Sequence, residues 1–325
     1  MGKEIRFIDL FCGIGGMRIG LERAGGRCVY SCEINEPARK TYEANFEPVT
    51  DKDITEVDAG SIPNHDVLAA GFPCQPFSLA GVVKRNSLGQ PSGFDSPEGR
   101  LFDNILNILR EKRPRGFLLE NVKHLQSHDG GRTFKVMLRR LHDVGYDVKH
   151  AIIDAKTVVP QHRERLFIVG FDREVEFEFP KMKNAKPRLR DILEPDPGSE
   201  YVLTPGVWAA LKRHKEACRA RGAGFGYGIA DPDGVTRTLS RRYYKDGSEI
   251  LINRGRRRIP RMLTPRECAR LMGFPRRFKI PVSDTQAYRQ FGNAVVVPVV
   301  SSIAKEITKT MINGRRRITL MEYAR

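Results

Sequence analysis

Three short segments set reactive or ligand-gripping side chains where strands should end. Gly71-Phe72-Pro73-Cys74-Gln75-Pro76-Phe77-Ser78 follows an apolar run and puts a single thiol on a loop. At the carboxyl edge of a parallel sheet, the side on which ligands bind, a thiol becomes a nucleophile once its pKa is lowered. A lone cysteine is as readily a small buried hydrophobe, so the case rests on its company. Glu120-Asn121-Val122 closes the run GFLLENV, which sets a carboxylate at another strand end. Gln161-His162-Arg163-Glu164-Arg165 leads into RLFIVGF. If it is extended, Arg163 and Arg165 share one face and Glu164 takes the other. Singly, these residues read as a solvated strand end and surface charges. A thiol, a carboxylate and two guanidiniums at one sheet edge suit attack on an electron-poor heterocycle.

A second feature points to a bound nucleoside. Phe7-Ile8-Asp9-Leu10-Phe11-Cys12-Gly13-Ile14-Gly15-Gly16 reads as a strand, a glycine-rich turn and a helix start. Such a turn lets a ligand approach the backbone closely and offers it unpaired N–H groups. A dinucleotide fingerprint needs glycine three places after Gly15, where Arg18 stands, so NAD is disfavoured. Glu33, twenty residues after Gly13 at the end of the next strand, is where an acid grips ribose hydroxyls. No metal is expected. Six cysteines form no repeating framework, and Cys28 and Cys32 lack a second pair, so both read as buried strand residues of a reduced cytosolic protein.

The elements that must position these residues alternate. IRFIDLF, RCVYSCEI, DVLAAGF, GFLLENV and RLFIVGF read as strands. MRIGLERAG, PARKTYEANF, LFDNILNILREK and GGRTFKVMLRRLHDVG read as helices between them. That pattern gives an α/β fold with a doubly wound, mostly parallel sheet. After Phe179 the chain becomes rich in proline, glycine and arginine, with short irregular strands. Thr264-Pro265-Arg266-Glu267 then matches a capping box, and Gly273 with Pro275 ends that helix. The charge of +17 favours a polyanionic partner, nucleic acid before membrane. No run of about eighteen apolar residues is present, so no spanning helix is expected. The N-terminus reads as neither a secretory signal nor a myristoylation site.

FIDLFCGIGG, GFPCQPFS, ENV, QHRERLFIVGF, LTPRECARLMGFP and QAYRQFGNAVVVPVV occur in one order from about residue 5 to residue 305. Together they resemble the cytosine-5 DNA methyltransferase family. The segment GFGYGIADPDGVTRTLSRRYYKDGSEILI resembles the target-recognition part of the Dcm and EcoRII-type enzymes, which act on CCWGG. The resemblance implies the AdoMet-dependent methyltransferase fold, S-adenosyl-L-methionine as cofactor and double-stranded DNA as substrate. It implies that Cys74 adds to carbon 6 of a flipped-out cytosine and that Glu120 hydrogen-bonds ring nitrogen 3 and the exocyclic amine. Arg165 would hold the ring carbonyl, and Arg163 would order the site near the cysteine.

By the same resemblance, Phe11, Gly13, Gly15, Gly16, Glu33, Ile34, Asp53, Ile54, Pro73, Leu101, Asn293 and Val295 hold the cofactor. Ala294 replaces a serine found in several relatives. Ser78, Ser87, Gln90, Thr238, Arg241 and Arg242 are the DNA-side candidates, with Gly81–Leu101 the loop that closes on DNA. The expected division is a catalytic lobe of residues 1–184 and 291–325 and a recognition lobe with hinge of residues 185–290. The expected setting is a cytoplasmic monomer, with a cognate restriction endonuclease as functional partner. The rival readings are a tRNA cytosine-5 methyltransferase, which the recognition segment argues against, and a silent DNA-binding relative, which the intact Cys74, Glu120, Arg163 and Arg165 argue against.

Overall fold

The computed structural model describes residues 4–73, 101–222 and 226–322, with side chains described as far as residue 313. Cys74, Ser78, Ser87 and Gln90 lie outside the described residues. A six-stranded sheet has the order β2-β1-β3-β4-β6-β5. Its strands are β1 (Ile5–Leu10), β2 (Gly26–Cys32), β3 (Val67–Gly71), β4 (Gly116–Val122), β5 (Asp147–Asp154) and β6 (Glu164–Phe171). The first four run parallel, whereas β6 is antiparallel to both β4 and β5. Phe7, Ile8, Asp9 and Leu10 are all fully buried, as in a central strand covered on both faces. Successive residues serve opposite layers, with Phe7 packing in one apolar cluster and Ile8 in the other.

Alternation did not reveal β5. Its sequence, DVKHAIID, is polar and partly exposed because it is an edge strand. Cys32 is buried as expected, while Cys28, nearer the start of β2, is only half-buried.

The connecting helices are α1 (Gly16–Glu22), α2 (Glu36–Glu43), α3 (Leu101–Lys112) and α4 (Arg132–Asp143). Beyond the sheet come α5 (Pro205–Ala220), the two-residue strands β7 (Ile229–Ala230) and β8 (Leu251–Ile252), and α6 (Pro265–Leu271). The chain then forms α7 (Asp284–Asn293) and α8 (Val297–Glu322). α6 has the expected capping box: Glu267 N–H donates to Thr264 Oγ1 at 3.0 Å, and Thr264 N–H to Glu267 Oε2 at 2.8 Å. Glu267 also accepts both arms of the Arg261 guanidinium at 2.7 and 2.8 Å, a buried, fully hydrogen-bonded pair.

The last helix returns to the first. A Cβ added to Gly20 of α1 would stand 2.4 Å from Val300 Cγ1 of α8. Gly20→Ala is therefore expected to destabilise the protein by about 1–3 kcal/mol, the usual cost of overpacking. A urea melt with an unshifted midpoint would refute that close packing. Among the described residues no helix is long and apolar enough to cross a membrane.

Candidate active site

The sheet changes winding direction between β1 and β3, and their carboxyl ends open side by side, with Leu10 level with Ala70. The glycine turn leaves one end and the Phe72-Pro73 exit toward Cys74 leaves the other. Phe11, Gly13 and Gly15 hold φ values of 54°, 55° and 84°. Glycine meets that demand without strain, whereas Phe11 adopts a conformation rare for a side chain of its size. A Cβ on Gly15 would stand 2.3 Å from Phe46, and one on Gly16 would stand 2.9 Å from Val295 Cγ2. The turn thus closes against Phe46 on one side and, on the other, against the stretch running from the end of α7, where Asn293 is exposed, to Val295, which is buried.

Glu33 stands over this turn. Its Oε2 accepts from Gly13 N–H and its Oε1 from Asn35 N–H, both at 2.8 Å. Burial raises its pKa, and the two backbone donors and Arg39 oppose the rise. Each oxygen keeps a lone pair for a further donor such as a ribose hydroxyl. The neighbouring Ile34 is 65% exposed, an apolar surface beside the carboxylate. Ile54 is buried, and Asp53 caps its short turn by accepting from Thr55 N–H at 2.9 Å. Pro73 and Leu101 are half-buried on either side of the undescribed segment. Glycines that accept close approach, a carboxylate with open lone pairs and an exposed isoleucine suit a nucleoside-bearing cofactor.

At the same edge β4 brings Glu120 level with Gly71. Because β6 runs antiparallel, its beginning lies beside the end of β4, and Arg165 pairs with Val122. Arg165 Nε therefore reaches Glu120 Oε1 at 3.1 Å. Glu120 is 8% exposed. Burial raises its pKa, against the pull of the Arg165 charge and then of Arg163. A carboxyl so placed can keep its proton above the usual carboxylate range and donate it.

Asn121, to which the sequence reading gave no separate role, is buried and donates through Nδ2 to Phe72 O at 3.2 Å. That bond ties the Glu120 strand to the backbone just before Cys74.

Arg163 precedes β6 rather than continuing it. Its guanidinium is buried and donates to Leu239 O at 2.8 Å and to Gly292 O and Ala294 O at 2.9 Å each. Gln161, also buried, accepts from Leu239 N–H at 2.8 Å. Thr238 Oγ1 donates to His162 O at 2.6 Å, and Thr236 N–H to Pro160 O at 2.9 Å. Residues 160–163 are thus laced to residues 236–239. A single glutamine heading a run of charged residues was the local signal for Gln161; nothing local marked Gly292. Arg241 and Arg242 are exposed, and neither guanidinium makes a hydrogen bond or ion pair among the described residues. Arg237, by contrast, donates to Gly226 O at 3.0 Å. No group of His, Cys, Asp or Glu able to hold a metal occurs among the described residues.

The chain matches the C-5 cytosine-specific DNA methylase family over residues 5–309. It is 46% identical to the DNA-cytosine methyltransferase of Escherichia coli K12, covering 92% of this chain and 76% of that one. It is 48% identical to the type II methyltransferase M.NlaX of Neisseria lactamica, covering 93% and 96% of the two chains. Among solved structures, an Entamoeba histolytica methyltransferase superposes with a TM-score of 0.77 at 21% identity, covering 95% of this chain and 99% of that one. The S. pombe Dnmt2 methyltransferase gives 0.75 at 23% identity with the same coverages. These two likenesses concern the fold.

Proposed function

From the premise that the chain belongs to the C-5 cytosine-specific DNA methylases, we propose that it methylates the inner cytosine of CCWGG, with CCNGG as the looser form of the site. It is a DNA (cytosine-5-)-methyltransferase of an S-adenosylmethionine-dependent family. The observation that carries the mechanism is the Glu120–Arg165 pair at the edge where β3 delivers the chain toward Cys74. Residues 185–290 form the recognition lobe and hinge, and residues 1–184 with 291–325 form the catalytic lobe. The enzyme works as a cytoplasmic monomer, with a cognate endonuclease as functional partner.

The target base leaves the stack, because neither reacting carbon is accessible in a duplex. The Cys74 thiolate bonds to carbon 6, and the electron pair of the 5,6 double bond passes into the ring. Glu120 donates its proton to ring nitrogen 3 and accepts from the exocyclic amine, which neutralises the charge created by the attack. Arg165 holds both the carboxyl and the ring carbonyl. S-adenosyl-L-methionine supplies a methyl group made electrophilic by its sulfonium. Glu33, between the glycine turn and Ile34, would bind its ribose; Asp53 and Ile54 would flank its adenine; Phe11, Pro73, Leu101, Asn293 and Val295 would enclose the remainder. Held there, the cofactor would supply its methyl group to carbon 5 and be left as S-adenosyl-L-homocysteine. Ring nitrogen 3 returns its proton to Glu120, and loss of the carbon 5 proton to solvent, with rupture of the S–C6 bond, then restores the 5,6 double bond and frees the thiolate.

Two uncommitted arginines, Arg241 and Arg242, support recognition of a guanine-bearing site, since arginine reads guanine O6 and N7 as a pair. Expression in a host without cytosine methylation, followed by bisulfite sequencing, reads base, position and sequence together. Modification of the inner cytosine of CCWGG is expected; modification confined to an unrelated sequence refutes the target. A labelled tRNA with unmodified DNA would favour the tRNA reading. Arg241→Ala or Arg242→Ala is expected to cost about 1–3 kcal/mol and relax one position where the side chain reads a base. Equal weakening at every sequence would mark a phosphate contact instead.

A further inference from the structure

One buried cation joins two segments that the functional reading assigns to different ligands. The Arg163 guanidinium spans Leu239 O in the recognition segment and Gly292 O and Ala294 O at the end of α7. Leu239 is held at both main-chain groups, its carbonyl by Arg163 and its N–H by Gln161. The two segments also touch directly. A Cβ on Gly292 would lie 2.4 Å from Ser240 C and O and 2.5 Å from Arg241 N. Asn293 and Val295, beside the two carbonyls, belong to the proposed cofactor pocket, and Val295 packs on Gly16 of the glycine turn. Thr238 and Arg241, beside Leu239 in sequence, belong to the proposed DNA surface.

Burying a guanidinium is costly unless its donors are satisfied, so the carbonyls must hold their positions for the charge to stay where it is. Movement of either segment changes the fork that the other relies on. We propose that Arg163 is a positioning residue that couples cofactor and DNA occupancy, so that filling the pocket at Asn293–Val295 sets the Thr236–Arg241 segment for DNA and the reverse. This rests on the assignment of the two sites under the proposed function. It differs from an action of Arg163 on the cysteine or the base.

Coupling is reciprocal and is read as a ratio of affinities. Calorimetry on the full chain would give the Kd of S-adenosyl-L-homocysteine alone and with a saturating duplex carrying the sequence that bisulfite sequencing identifies. For the wild type, DNA is expected to tighten cofactor binding by about 5-fold or more, within the ordinary range of coupling. Arg163→Lys keeps the charge but replaces the planar fork by one nitrogen, so the ratio is expected to fall to within about twofold of unity. Binding of cofactor alone should then change by less than about fivefold, a split that general loosening of the fold would not give. Gly292→Ala disturbs the same junction without touching a charge and is expected to lower the ratio too; it carries the test alone if the lysine variant does not fold.

A wild-type ratio of one, or variants that keep the wild-type ratio, overturns the proposal. So does an equal loss of both affinities with the ratio unchanged. Failure of the underlying reading has a different signature: the wild type would neither bind S-adenosyl-L-homocysteine nor modify DNA.

Discussion

Cys74→Ser is expected to abolish methyl transfer while leaving cofactor affinity unchanged. A hydroxyl is neutral near pH 7 and far less nucleophilic than a thiolate, so addition to carbon 6 fails although the Glu33 site is untouched. The complementary measurement uses a duplex with 5-fluorocytosine at the target position. Fluorine at carbon 5 blocks the elimination that frees the enzyme, so the wild type should form a covalent complex that survives denaturation. The serine variant should form none. Methyl transfer by the variant at even a tenth of the wild-type rate, or a stable adduct formed by it, would remove Cys74 from the mechanism.

The next largest effect is expected at Glu120. Glutamine keeps the size and a hydrogen bond but has no proton to give to ring nitrogen 3, so the single-turnover rate should fall by about a hundredfold. Cofactor affinity should change little. The pH dependence supplies a second signature. Glu120 has a raised pKa because it is buried, and the acid form is the one that donates. The wild-type rate should therefore decline as pH rises through that pKa. The charge of Arg165 pulls the pKa down, so Arg165→Gln should move the decline to higher pH while lowering the rate at every pH. A glutamine variant with a wild-type rate, or a decline that moves to lower pH in Arg165→Gln, would refute the assignment.

Which residues could do chemistry was legible in the chain itself, because local pattern and reactive type coincide. Phe7 to Gly16 marks its own strand, turn and helix. Glu33 and Glu120 stand at the ends of strands whose apolar runs declare them. Thr264 and Glu267 announce a helix start through hydrogen bonds spanning three residues, and the structure contains both bonds. Order and spacing of the blocks carried the family, which the match over residues 5–309 bears out.

What the tertiary structure decided depends on direction and long-range contact, to which local periodicity is blind. A strand reads the same in either direction, so nothing in RLFIVGF shows that β6 is antiparallel; yet that direction is what sets Arg165 beside Glu120. β5, which forms the outer strand of the hairpin with β6, has no local signature because an exposed edge imposes no apolar alternation. Arg163 and Arg165 looked alike two residues apart, but one pairs with a carboxylate while the other binds carbonyls 76, 129 and 131 residues away. Those carbonyls belong to the backbone, which every residue shares, so no side-chain pattern could have marked them as the partners of a buried cation.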